Sequence, residues 1–253
     1  MARQPRKKSI SGIYHVMLRG INKQTIFEDV QDRTKFLQIL KYVKAKSGII
    51  IYGYCLMDNH THLLVKEKEE SISKAIQRLA ASYVRWYNQK YERSGHLFQG
   101  RFRSEIVESV HSFLKVLRYI HQNPVKAGIA VDVLNCNWTS MKEYLGKSSL
   151  VDTESTILLF AHERNKALTL FTNFMLLENN DEFMDVSEND KVSDQEVVEY
   201  LRFLGVTSIS QLQQMDRVDR DAIIRELKKL RGVSIRQLAR VTGISRSVID
   251  RAK

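Results

Sequence analysis

Apolar and polar positions along the chain follow two periods. Ile13 to Arg19 reads as a short strand, and Phe36, Leu37, Leu40 and Val43 recur at helical spacing between Asp29 and Lys46. Ile49 to Leu56 and His60 to Lys66 are apolar runs separated by the turn residues Asp58-Asn59, which predicts a hairpin. Ser71 opens a helix to about Arg93 whose buried stripe is Ile72, Ala75, Ile76, Leu79, Tyr83, Val84 and Trp86, and Phe98 to Val107 returns as a strand. A further helical run begins near Ser109 and is expected to end at Asn123-Pro124, because proline disfavours helical geometry in the residue before it. Strand, helix, strand, strand, helix, strand, helix is the order of a ferredoxin-like split βαβ sheet, so the expected class is α+β.

Beyond residue 150 only helical spacing is found. Thr156 to Glu178 predicts one or two helices bracing the first domain. Ser193-Asp194-Gln195-Glu196 reads as a capping box opening a helix through Leu204, with Gly205 as its stop, followed by short helices over Ser208–Met215 and Arg220–Leu230. Past Gly232, the run Ser234 to Arg251 resembles a helix-turn-helix: Gly243 supplies the turn, Ile244 and Ile249 face inward, and Ser245 caps a helix presenting Arg246, Ser247 and Arg251. The expected organisation is a catalytic-type domain over 1–150, a helical acidic connector over 151–191, and an all-α C-terminal domain over 192–253.

Charge sharpens that division. Residues 1–150 carry 25 Lys/Arg against 12 Asp/Glu, residues 151–200 carry 3 against 12, and residues 201–253 carry 12 against 5. Two basic bodies joined by an acidic stretch, within a total of +11, point to a polyanionic partner. No apolar run is long enough to span a bilayer and no signal-type segment follows the basic N-terminus, so a cytoplasmic protein is expected. The two cysteines, Cys55 and Cys136, have no metal or redox spacing and read as reduced and structural.

Candidate chemistry begins at His60-Thr61-His62. Side chains of a strand alternate faces, so both imidazoles project from one side and can share a divalent metal. Seven histidines would give about 0.2 chance pairs of this spacing, so the pair needs support from elsewhere. Tyr119 and Asn123 give it. Four apart on a helix, they lie one above the other on a single face.

Several motifs in order, spanning roughly residues 10–145, resemble the single-tyrosine transposases of the HUH class, and most closely the REP-associated tyrosine transposases. These are Tyr14-His15-Val16 with Arg19-Gly20 and Asn22, then Leu56-Met57-Asp58-Asn59-His60-Thr61-His62-Leu63-Leu64, then Gly95-His96-Leu97-Phe98-Gln99-Gly100-Arg101-Phe102, then Tyr119 to Gly128. The closing Asn137-Trp138-Thr139-Ser140-Met141 departs from that family's Trp-Ser-Ser-Tyr. The resemblance implies the same ferredoxin-like fold, a nucleophilic Tyr119 forming a 5′-phosphotyrosine, and Mg²⁺ or Mn²⁺ on His60, His62 and Asn123. It implies single-stranded or hairpin DNA as substrate, and places the loop of Arg19, Asn22 and Lys23 near it. Arg101, Arg103 and Lys126 are candidate phosphate contacts, and Arg246 a candidate duplex contact. The expected state is a monomer or homodimer. Two alternatives stay open: a non-catalytic hairpin-binding or transcription-regulating protein derived from such a transposase, and a metal-dependent hydrolase using water as nucleophile.

Overall fold

Four strands form one antiparallel sheet in the order β2-β3-β1-β4, where β1 is Ile13–Arg19, β2 Ile50–Met57, β3 His60–Lys66 and β4 Arg103–Ile106. A computed structural model describes residues 6–146, 148–178, 181, 183, 194–230 and 233–252. Ser193 of the expected capping box, Gly232 and most of the acidic runs at 178–182 and 187–190 lie outside these. β1 and β2 run parallel with β3 inserted antiparallel between them, the split βαβ arrangement expected from the element order.

Helix α1 (Val30–Ser47) connects β1 to β2, α2 (Ile72–Lys90) connects β3 to β4, and α3 (Val110–Lys126) follows β4. α1 starts where the sequence turns polar: Asp29 and Asp32 form a reciprocal capping box, and Lys90 Nζ lies 2.7 Å from the fully buried Asp32. Side-chain alternation then divides the sheet. Val16, Leu18, Leu63 and Val65 lie in the core on one face, while His15, Met17, Arg19, His60 and His62 share the other with Arg103 and Glu105. Thr61 points away from the histidines and bonds the Cys55 carbonyl at 3.0 Å.

Two boundaries close to the histidine face differ from the sequence reading. β4 begins only at Arg103, because Gly100 takes φ +67° and Phe98 makes a single bridge to Gly20, which leaves 99–102 as a loop. α3 does not stop before Pro124 but continues to Lys126, with Pro124 in its last turn. There the missing N–H removes one ladder bond only, and Ala127 N–H still bonds Asn123 at 3.0 Å before Gly128 (φ +69°) ends the helix.

Helix α3 sits close to β2 at Gly53, where a Cβ would lie 2.6 Å from Leu117 Cδ1. Gly53→Ala is therefore expected to lower the unfolding free energy by about 1–3 kcal/mol in urea titration, since the overlap outweighs the small chain-entropy gain. An unchanged midpoint would mean that Leu117 yields freely. The segment 138–140 runs along β2: Trp138 O accepts from Leu56 N–H and Ser140 N–H bonds Tyr54 O. Helices α4 (Met141–Leu145), α5 (Glu154–Ile157) and α6 (Arg164–Leu176) complete this unit, with Ile157, Ala167, Phe171 and Met175 buried in the same core.

The chain divides into two compact units, Met1–Met184 and Asp185–Lys253. The second holds α7 (Asp194–Phe203), α8 (Ile209–Gln214), α9 (Arg217–Lys229), α10 (Ile235–Thr242) and α11 (Arg246–Arg251) around Leu201, Leu212, Ile224, Leu227, Leu238 and Ile249. Gly243 joins α10 to α11 at φ +68°, a left-handed conformation that suits a residue without a Cβ. Ile244 and Ile249 are buried while Arg246, Ser247 and Arg251 are exposed. Among the described residues no helix is long and apolar enough to cross a membrane.

Candidate active site

The face of the sheet that carries the histidines is covered by α3, and there the tyrosine meets them. The Tyr119 ring stands 5.7 Å from that of His62 and 5.9 Å from that of His15, both edge-on. His60 and His62 lie 5.0 Å apart, centre to centre, with perpendicular rings. Asn123 follows Tyr119 by one turn of α3 and is 8% exposed, so the register read from the sequence is the register of the helix.

Each imidazole has a protein contact at its Nδ1. Asn59 Oδ1 lies 2.5 Å from His60 Nδ1, and an amide oxygen can only accept, so His60 carries its proton there and directs the lone pair of Nε2 elsewhere. His62 Nδ1 lies 2.9 Å from His15 Nε2, and His15 Nδ1 lies 3.7 Å from Glu105 Oε2. A carboxylate on that side favours a proton on His15 Nδ1, which leaves its Nε2 to accept from His62. In these tautomers Nε2 is the acceptor nitrogen of both His60 and His62. Among the described residues no group of three or more His, Cys, Asp or Glu is placed to hold a metal, so a third protein donor beside the two imidazoles would have to be of another kind, as the carboxamide of Asn123 is. That set fits a divalent ion whose remaining positions are filled by phosphate and water oxygens.

The loop after β1 is tied to the same place. Residues Ile21–Lys23 form a 3₁₀ turn in which Asn22 (φ 52°) and Lys23 (φ 61°) are left-handed, and Asn59 Nδ2 bonds Lys23 O at 3.3 Å. One side chain, Asn59, thereby links the loop of Asn22 and Lys23 to His60. Arg19 is the cross-strand partner of His60, and Arg103 is that of Met17, which in turn faces His62. Lys126 Nζ lies 5.6 Å from the centre of the Tyr119 ring. Burial holds this ammonium below the usual lysine range, a shift that Asp181 opposes and Arg118 reinforces.

Not every candidate joins the cluster. Arg101 lines a groove against α2 together with Leu18, whose side belongs to the opposite face of the sheet. Arg246 is exposed at the start of α11 in the second unit. His121, two residues past Tyr119, is fully buried against Ser140 Oγ at 2.7 Å, and burial drives its imidazole down to about 3, which makes it a neutral packing group.

Sequence reasoning missed four residues here. Asn59 and His15 stood inside quoted motifs, and the alternation of β1 placed His15 on the Arg19 face, but nothing local showed that β1 lies beside β3. Phe183 had no signal at all. Its ring packs 4.8 Å from Tyr119 and 5.7 Å from His15, and nearby Asp181 pairs with Lys115 and Arg118 of α3 at 3.2 Å each. Although burial opposes it, those two cations hold the Asp181 carboxyl below its usual range. Glu105 was read only as part of a strand.

With this geometry in view, the family described as "Transposase IS200 like" matches over residues 8–123. Among solved structures, the chain is similar to one described as a REP-associated tyrosine transposase bound to a REP hairpin, with 14% identity and a TM-score of 0.50, covering 65% of this chain and 93% of the other. A transposase candidate from Deinococcus radiodurans R1 aligns at 16% identity and a TM-score of 0.35, covering 48% of this chain and 97% of the other. At 14% identity the likeness to the first of these concerns the fold alone. No curated protein matches the chain.

Proposed function

We propose, from the match of residues 8–123 to the IS200-like transposase family, that this protein is a single-tyrosine DNA endonuclease and strand transferase acting on single-stranded or hairpin DNA. The observation that carries the reading is the Tyr119 ring 5.7 Å from His62, whose strand neighbour His60 lies 5.0 Å from it on the same face. Tyr119 Oη attacks the phosphorus, the bond to the 3′ oxygen breaks, and the phenolic proton leaves to solvent or to that oxygen. The product is a 5′-phosphotyrosine and a free 3′ hydroxyl. Attack of a 3′ hydroxyl on the phosphotyrosine rejoins DNA and restores the phenol.

A Mg²⁺ or Mn²⁺ ion held by His60, His62 and Asn123 would make the phosphorus more electrophilic and stabilise the leaving oxygen. The chain's own groups do the rest. Asn59 and the pair His15–Glu105 hold the two imidazoles in the tautomers that present Nε2, and partners of this kind govern metal affinity. Lys126 stabilises negative charge developing at Tyr119, while Arg19 and Arg103 hold backbone phosphates on the same face. The test is a covalent adduct: labelled hairpin DNA incubated with the full chain and Mn²⁺ should give a band that survives denaturing electrophoresis. Cleavage that leaves a free 5′ phosphate with no such band would favour the water-using hydrolase instead.

The second unit, in this reading, binds duplex DNA through α10 and α11, with 192–253 as a domain of its own beyond the acidic connector. The exposed Arg246, Ser247 and Arg251 beside the buried Ile249 support it. Arg246→Ala in the full chain should weaken duplex binding about 3–10-fold and make the slope of log K against log salt shallower by about 1, with adduct formation on a hairpin unchanged. Unaltered duplex affinity would make the second unit a structural brace.

A further inference from the structure

We propose that Arg33 of α1 is a positioning residue for the candidate metal site: it grips the turn Asp58-Asn59 so that Asn59 stays on His60. The role rests on the reading of His60 and His62 as metal ligands and adds to it the group that fixes the shape of their hairpin. Met57 and His60 pair across β2 and β3, so two residues close the hairpin. Two-residue hairpins favour left-handed residues in the turn, whose twist matches that of the strands. Among the described residues the non-glycine left-handed positions are Asn22, Lys23 and Glu92, so Asp58 and Asn59 both depart from that preference. A turn of this kind takes its shape from what surrounds it.

Two neighbouring loop segments hold the backbone of the turn. Asp58 O accepts from Ile26 N–H at 2.8 Å and from Phe27 N–H at 3.1 Å, and Asn59 O accepts from Gly20 N–H at 2.8 Å. Arg33 holds the Asp58 side chain. Its Nη2 donates to Asp58 Oδ1 in an ion pair, and its Nη1 donates to Asp29 O at 3.2 Å. An ion pair with an exposed carboxylate usually contributes little, because ordering a long cation offsets the attraction. Here the cation is ordered beforehand: the Arg33 side chain is 12% exposed, and the rings of Phe27 and Trp138 each centre 5.6 Å from its Cζ.

Trp138 belongs to the segment that runs along β2, and Phe27 to the loop bonded to Asp58 O, so Arg33 joins both to the turn. From Asp58 the path to the ligand is short. Asn59 Oδ1 accepts from His60 Nδ1 at 2.5 Å, and Asn59 Nδ2 donates to Lys23 O at 3.3 Å. A turn that rotates carries this amide off the imidazole, and the proton of His60 is then no longer fixed on Nδ1.

The inference is tested by Mn²⁺ binding to the full chain without DNA, followed by electron paramagnetic resonance, beside the urea midpoint of each variant. Arg33→Met and Asp58→Ala should each weaken Mn²⁺ binding about 3–10-fold, and Arg33→Lys should bring it back to within about twofold of the parent. The double variant should bind no more weakly than the poorer single, since both remove one contact. Asp58 is 60% exposed, so Asp58→Ala carries the test if Arg33→Met does not fold. Nitrogen-15 spectra of labelled histidine should show His60 losing its fixed Nδ1–H form in the same variants. A lowered midpoint with Mn²⁺ affinity and the His60 tautomer unchanged would make Arg33 a packing residue, and losses that add in the double variant would break its link through Asp58. If His60→Ala loses Mn²⁺ while these variants keep it, this inference alone fails. If His60→Ala binds Mn²⁺ as the parent does, the metal reading fails with it.

Discussion

Tyr119→Phe abolishes the covalent protein–DNA adduct, lowering it at least a thousandfold, while affinity for the hairpin stays within about twofold of the parent. The substitution removes one oxygen and keeps the ring, whose edge contacts with His15, His62 and Phe183 hold α3 against the sheet. The close neighbours of Tyr119 along α3 are poorly placed to take over: His121 is buried against Ser140, and Arg118 is paired with Asp181. Loss of turnover with retained binding is the signature of a group that acts only in the transition state. Denaturing gels for the adduct and anisotropy for binding check the two halves separately. Cleavage that persists in the variant would assign the attack to water.

His60→Ala or His62→Ala removes metal-dependent cleavage, because one imidazole and a carboxamide cannot hold a hard divalent ion against water. Mn²⁺ binding followed by electron paramagnetic resonance should weaken by about 100-fold or more in either variant, a readout independent of turnover. The two differ in their structural side effects. His62 is fully buried and bonded to His15, so its truncation should also cost about 2–3 kcal/mol of stability, whereas His60 is 8% exposed and contacts Asn59 at the turn. His60→Ala is therefore the cleaner probe of metal binding. Full activity of the parent in excess chelator would overturn the assignment of these histidines.

Together these experiments separate three chemistries that share one scaffold. A hairpin-binding regulator would retain affinity and show no adduct in the parent. A hydrolase would respond to loss of the histidines and not to Tyr119→Phe. The proposed transferase responds to both.

The sequence by itself determined what depends on neighbours within a few residues. Alternation in β3 put His60 and His62 on one face and Thr61 on the other; the helical repeat put Asn123 above Tyr119; and the polar break at Asp58-Asn59 set the hairpin. The order of elements was enough to suggest the split βαβ sheet, because few topologies place one short strand, a hairpin and a returning strand with right-handed crossovers. It read the start of β4 and the end of α3 differently, since left-handed Gly100 and the placement of Pro124 in a last turn depend on what surrounds them.

Only the tertiary structure decided which of these faces meet. The bond between His15 and His62 joins residues 47 apart on strands that pair through the sheet, and Phe183 reaches Tyr119 from beyond α6. Lys126 and Arg101 looked alike in the sequence, as cations in basic surroundings. One lies over the Tyr119 ring and the other in a groove against α2. The physical reason is that periodicity tells which side of a strand or helix is apolar, whereas the partner that covers that side is selected by packing of the whole core. Contacts between distant segments exist only once that packing has brought them together.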